Sequence, residues 1–178
     1  TTTIIGYFLL IIFSAPFRAT WQTLVAALTV SCFRIFSGGA HATAPIRCSL
    51  IGVIILVPIG ILAKTIGLFL SFYILILHFG IFVIGLIVIY RYVPADTPGK
   101  PINSAVQKKY LRGLSYTILV GWFLGIYICF YKRIGLESGF IVASILGMCW
   151  QVYTLTPKGY GTYKFFDDLL KIIYERRL

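Results

Sequence analysis

The chain alternates long apolar runs with short polar interruptions, and the interruptions divide it into elements. From position 3 to 36 it is almost continuously apolar, too long for one membrane crossing of about 20 residues. Pro16 and Arg18 interrupt that run, which reads as a helical hairpin with arms at 3–15 and 19–36. Further apolar segments follow at 49–63, 66–90, 114–131 and 139–155. The polar stretch 91–112, RYVPADTPGKPINSAVQKKYLR, carries three prolines and five Lys/Arg residues and reads as a loop. Residues 157–178 form a basic tail, within which 163–177 has the spacing of an amphipathic surface helix.

These segments predict an all-α, polytopic membrane protein: one domain over 1–178 with six transmembrane helices. Composition agrees, at 59% hydrophobic and 12% charged residues with a mean hydropathy of +0.92, far too apolar for a soluble domain of this size. Because the sequence opens on Thr1, an N-terminal extension is expected to complete the first arm.

Charge then sets an orientation. The net charge of +11 needs no nucleic acid, because cationic loops bind anionic lipid headgroups. If all six segments cross, twelve of the sixteen Lys/Arg residues fall on the side of the 91–112 loop. The other four are Arg18, Lys64, Lys132 and Arg133. Positive charge stays inside, so both termini and the 34–48 stretch are expected at the cytoplasmic face.

That stretch, RIFSGGAHATAPIRC, holds the candidate chemistry. It contains one of two histidines and, seven positions on, a cysteine: a thiolate nucleophile and an imidazole that moves its proton form the working pair of a cysteine protease. In an unbroken helix seven residues advance about 10.5 Å and side chains lean toward the N-terminus, so His41 and Cys48 meet only if the backbone bends between them. Pro45 supplies the bend by opening a new helix, whose N-terminal end favours a thiolate at Cys48. Gly38 and Gly39 allow a sharp turn and a close approach of peptide backbone. Arg34 and Arg47, with Lys108, Lys109 and Arg112, are candidates to support an oxyanion or hold an acidic peptide. Of the five acids, Asp96 is the first candidate to orient His41, followed by the acids of the tail.

The remaining polar residues read as structure. Cys32, Cys129 and Cys149 lie in apolar runs without C-x2-C spacing and are expected to pack in the core, with neither metal nor other cofactor. His78, Gln22 and Gln151 are expected to bond within the bundle. Gly121 and Gly125 have the spacing that lets a second helix approach closely, from the same chain or from the partner in a homodimer.

Arg34, Gly38, Gly39, His41 and Cys48 fall on the pattern R-x3-GG-x-H-x6-C, and YVPADTPGKPI follows at 92–102. With the hydrophobic layout, these features resemble the accessory gene regulator B family, the membrane cysteine endopeptidases of Gram-positive quorum sensing. The resemblance implies catalysis by Cys48 and His41. It also implies a substrate: a precursor peptide with an amphipathic leader, a signal segment and an acidic tail, which loses its tail and cyclises to a thiolactone or lactone. The competing function is a small peptide transporter or exporter without covalent chemistry. For that, an internal repeat, a pair of broken helices and an intramembrane charge cluster are expected, and none is evident in the sequence.

Overall fold

The computed structural model describes residues 2–67, 71–95, 104–132 and 138–175. Within them lie seven α-helices: α1 (Thr2–Ser14), α2 (Thr20–Ser37), α3 (Pro45–Ile66), α4 (Ser71–Tyr92), α5 (Ala105–Tyr131), α6 (Ser138–Thr154) and α7 (Pro157–Glu175). A 3₁₀ turn, Ala15–Phe17, joins α1 to α2, and Arg18 closes it in a left-handed conformation. The predicted hairpin therefore turns where Pro16 and Arg18 placed it.

Contacts at the helix ends order the bundle. At one end Lys64 Nζ donates to the Arg18 carbonyl at 2.9 Å, and Gly67 at the close of α3 lies against Gly139 at the start of α6. At the other end Gly6 touches Ser49, Gly38 pairs with Ala95, and Ala40 N donates to the Thr154 carbonyl at 3.2 Å. Helices α1 to α6 thus alternate in direction. Residues 38–44, the start of α3 and all of α7 gather at one end.

Three of these helices are long and apolar enough to cross a membrane: Pro45–Ile66, Tyr73–Tyr92 and Ala105–Tyr131. A fourth span results if α6 and α7, bent by 93° at their junction, count as one. The protein is an all-α membrane protein, but six spans are not shown. The 13-residue α1 reaches only about 20 Å at the helical rise per residue, short of a hydrocarbon core of about 30 Å.

Two boundaries differ from the sequence reading. The 91–112 loop is shorter than expected, because α4 runs on to Tyr92 and α5 already begins at Ala105. Ser104 caps α5 by accepting from Gln107 N at 3.5 Å, and Arg112 Nε donates to the Val93 carbonyl at 2.7 Å. The tail helix starts at Pro157 rather than 163, with Thr156 Oγ1 accepting from Gly159 N at 3.2 Å.

Within the single chain, the close glycine packing falls on α2 and α6 rather than on α5. Ala26 on α2 sits so near Gly147 on α6 that a Cβ there would meet the Ala26 carbonyl oxygen at 2.7 Å, whereas no other described helix comes within 4 Å of where a Cβ on Gly121 or Gly125 would lie. Cys32 and Cys149 are exposed and Cys129 is half-buried, which corrects their assignment to the core. A lipid-facing surface is as apolar as an interior, so a cysteine in an apolar run marks neither. His78 is buried between Trp122 and Phe123, and Gln151 donates from α6 to Ser37 Oγ at 3.2 Å and to the Gly38 carbonyl at 2.9 Å.

Candidate active site

Helix α2 ends at Ser37, and the chain leaves it through two glycines with positive φ, 73° at Gly38 and 138° at Gly39. Gly38 is required twice over. Its left-handed backbone disfavours a side chain, and a Cβ would run into the carbonyl oxygen of Ala95, whose N–H donates to the Ser37 carbonyl at 2.9 Å. Gly39 lies against Thr154 and Gln151 at the end of α6. The turn delivers His41 to the lip of a cavity, and Pro45 at the first position of α3 redirects the chain so that Cys48 faces back toward it.

The pair that the sequence singled out does come together. Cys48 Sγ lies 3.9 Å from His41 Nδ1, a long hydrogen bond of the kind that tightens when a substrate is bound. Cys48 is half-buried and His41 is exposed. Desolvation of the covered part of the ring, and then the Arg34 cation, pull the His41 pKa from 6.5 down to about 4. At neutral pH the imidazole is uncharged, able to take a proton from the thiol rather than already holding one.

Both arginines of the stretch are engaged within the chain. Arg34 Nη2 donates to the Ala40 carbonyl, Nη1 donates to Tyr163 Oη at 3.2 Å, and the guanidinium lies 5.4 Å from the centre of the Tyr163 ring. Arg34 therefore ties the turn before His41 to α7 while its charge lines the cavity. Arg47 Nε donates to Asp167 Oδ1 at 2.6 Å, and Thr43 donates to Asp167 Oδ2 from both N (3.0 Å) and Oγ1 (2.7 Å). Burial alone would raise the Asp167 pKa, but these hydrogen bonds and the Arg47 charge outweigh it and hold the carboxyl below its ordinary value. Lys108 and Lys109 are exposed on the first turns of α5.

Asp96, the first candidate to orient His41, lies outside the described residues. Of the tail acids, Asp167 reaches this region but bonds Thr43 and Arg47 rather than the imidazole. Among the described residues no group of three His, Cys, Asp or Glu side chains could hold a metal ion. Sequence reading missed Tyr163 as part of the site and named Asp167 only among the tail acids, as a candidate to orient His41 rather than to hold Thr43 and Arg47. The i, i+4 spacing of Tyr163 and Asp167 on one face of α7 was the available signal, since the buried face of the helix is Gly159, Tyr163 and Asp167.

The cavity measures about 450 Å³. The dyad and Arg34 line it, with His41 at its exposed side, and its walls are mostly apolar: Leu10 of α1, Ala27 and Val30 of α2, Leu56 of α3, and Trp150 of α6. Cys48, Gly52 and Leu56 succeed one another along α3, so the cavity extends from the thiol into the bundle. An extended peptide laid across the dyad would find cover for apolar side chains on one side of the reacting bond and water on the other.

Residues 1–155 match the accessory gene regulator B family. Two Clostridium perfringens proteins that carry the provisional name AgrB-like are similar over 172 residues, 93% of this chain and 80% of each relative. The one from strain SM101 is 33% identical and a second, from strain 13, is 30% identical. No solved structure matches the chain.

Proposed function

Because the chain belongs to the accessory gene regulator B family, we propose that it is a membrane cysteine endopeptidase that removes the C-terminal tail of an autoinducer precursor peptide. Family membership itself ties this membrane protein to the accessory gene regulator system of quorum sensing and to a precursor peptide. The observation that carries the catalytic reading is the approach of Cys48 Sγ to His41 Nδ1, 3.9 Å apart in the lining of a largely apolar cavity.

The steps follow from the groups present. The Cys48 thiol gives its proton to His41 as sulfur attacks the carbonyl at the junction of signal and tail. The tetrahedral intermediate collapses, the C–N bond breaks, His41 returns the proton to the departing amine, and a thioester remains on Cys48. A thiol or hydroxyl within the signal segment then attacks that thioester, closes the ring and frees Cys48. Water would give a linear product instead, and the apolar walls of the cavity limit its access. Making a thioester from an amide is uphill, so release of the tail drives the sequence forward. Arg34, whose charge acts on His41, would also favour the negative charge that develops on the attacked carbonyl oxygen.

The precursor's amphipathic leader would rest on the bilayer and its acidic tail would face the cationic end of the bundle, at the cytoplasmic side with both termini inside. Asp96 is the proposed partner of His41: Ala95, its neighbour in sequence, is bonded to Ser37 near the dyad turn. Coexpression with a small precursor, followed by mass spectrometry of the membrane fraction, tests the whole reading, since it detects both the released tail and the ring. Tail removal that persists in Cys48→Ala overturns it.

A further inference from the structure

We propose that Asp167 is a positioning residue for the His41–Cys48 pair, because from α7 it holds both ends of the segment that joins them. Thr43 lies two residues after His41 and Arg47 one residue before Cys48. A single carboxylate accepts from both, through Oδ2 for Thr43 and Oδ1 for Arg47, while Arg47 Nη2 donates to Thr43 Oγ1 and closes a three-membered network. Asp167 is only 5% exposed, so water has little access to the carboxylate end of these bonds, although Thr43 itself is exposed.

The mechanical need is specific. Cys48 rides on a helix and is placed by it, whereas His41 sits in a loop with no ladder of its own. The distance between them depends on what ties the loop to the first turn of α3. Asp167 does this from a third element, and it lies beyond the 1–155 region that the family match covers. Charge is essential to the arrangement, because every facing group is a donor. An amide of the same shape offers one oxygen and one NH2, and the NH2 must point at either the Thr43 N–H or the Arg47 guanidinium.

The assignment rests on the dyad reading above, and two measurements separate them. In proteoliposomes, Asp167→Asn should lower kcat for tail cleavage about tenfold to a hundredfold with KM unchanged, as expected when reacting groups are displaced by an ångström or so. Independently of any peptide, the rate constant for iodoacetamide alkylation of Cys48 should fall in Asp167→Asn to that of His41→Ala. A partly unfolded sample alters the amplitude of that reaction rather than its rate constant. Thr43→Val, which removes the hydroxyl and with it two of the four bonds of the network, should shift both quantities in the same direction, and Thr43→Ser should restore them; this pair carries the test if Asp167→Asn fails to insert. An alkylation rate constant equal to wild type in Asp167→Asn or Thr43→Val, or a change confined to KM, overturns the positioning role. If wild-type protein cleaves no precursor yet alkylation responds as described, the peptidase reading fails and the positioning of the pair stands.

Discussion

Cys48 Sγ reaches within 3.9 Å of His41 Nδ1 although it lies seven positions further along the chain, because the chain between is part loop and part helix. Thr43 N is directed to Asp167, Cys48 N closes the first helical bond to the Ala44 carbonyl, and Pro45 occupies the position where no N–H is needed. The approach is thus set by the loop and the first turn of α3, with Asp167 of α7 tying the two, and because His41 is exposed and Cys48 only half-buried each can be removed without disturbing buried structure. His41→Ala should lower the cleavage rate by about 10²–10⁴-fold, the usual worth of general acid–base catalysis. Cys48→Ser should leave no detectable cleavage while the protein still inserts. Quantifying tail release in isolated membranes checks both.

The neutral imidazole has a pH consequence. With the His41 pKa lowered to about 4, the ring is free to accept a proton throughout the region where an ordinary histidine titrates, near 6.5. Cleavage should stay level as pH falls through 6.5 and decline only as pH approaches about 4, when the base becomes protonated. The acid limb of kcat/KM measured on proteoliposomes decides. A limb at the ordinary histidine value would mean that the cavity does not shield the ring.

Gly38→Ala should cost about 1–3 kcal/mol from the strained backbone alone, before the contact with the Ala95 carbonyl is counted. Gly161, in α7 with open space around it, is the control and should accept alanine with no loss. Thermal inactivation in detergent compares the two. Equal midpoints would show that the turn before the dyad can relax.

What the sequence disclosed was local, and what it withheld was distant. Gly38, Gly39 and Pro45 announce a turn and a helix start around His41 and Cys48, and the structure places both there. The same grammar was present at two boundaries that were misread. Ser104 with Gln107 three positions later is a helix-start signature for α5, and Thr156-Pro157 is one for α7. Asp167 could not be assigned in this way, because it lies 124 residues from Thr43 and meets it only after the 93° bend between α6 and α7. The exposure of Cys32 and Cys149 was illegible for another reason. Inside a bilayer the outer face of a helix needs no polar residues, so the periodic contrast that separates core from surface in a soluble helix is lost.

The last prediction concerns assembly. Gly121 and Gly125 share one face of α5, both are exposed, and no atom of another described helix comes within 4 Å of the position their side chains would occupy. The alternative that this face packs against another described helix of the same chain is therefore removed, and a helix of a second copy is the proposed occupant. Close approach of two such faces depends on the missing side chains, since attraction between helices in lipid comes from packing rather than from water exclusion. Gly121→Leu combined with Gly125→Leu should leave insertion and folding intact, because leucine enters open space in the single chain. The same double substitution should sharply reduce crosslinked dimer. Crosslinking in native membranes with a lipid-soluble reagent reads the outcome, with insertion followed in parallel by protease protection. Unchanged crosslinking would assign the dimer contact to another face of the bundle.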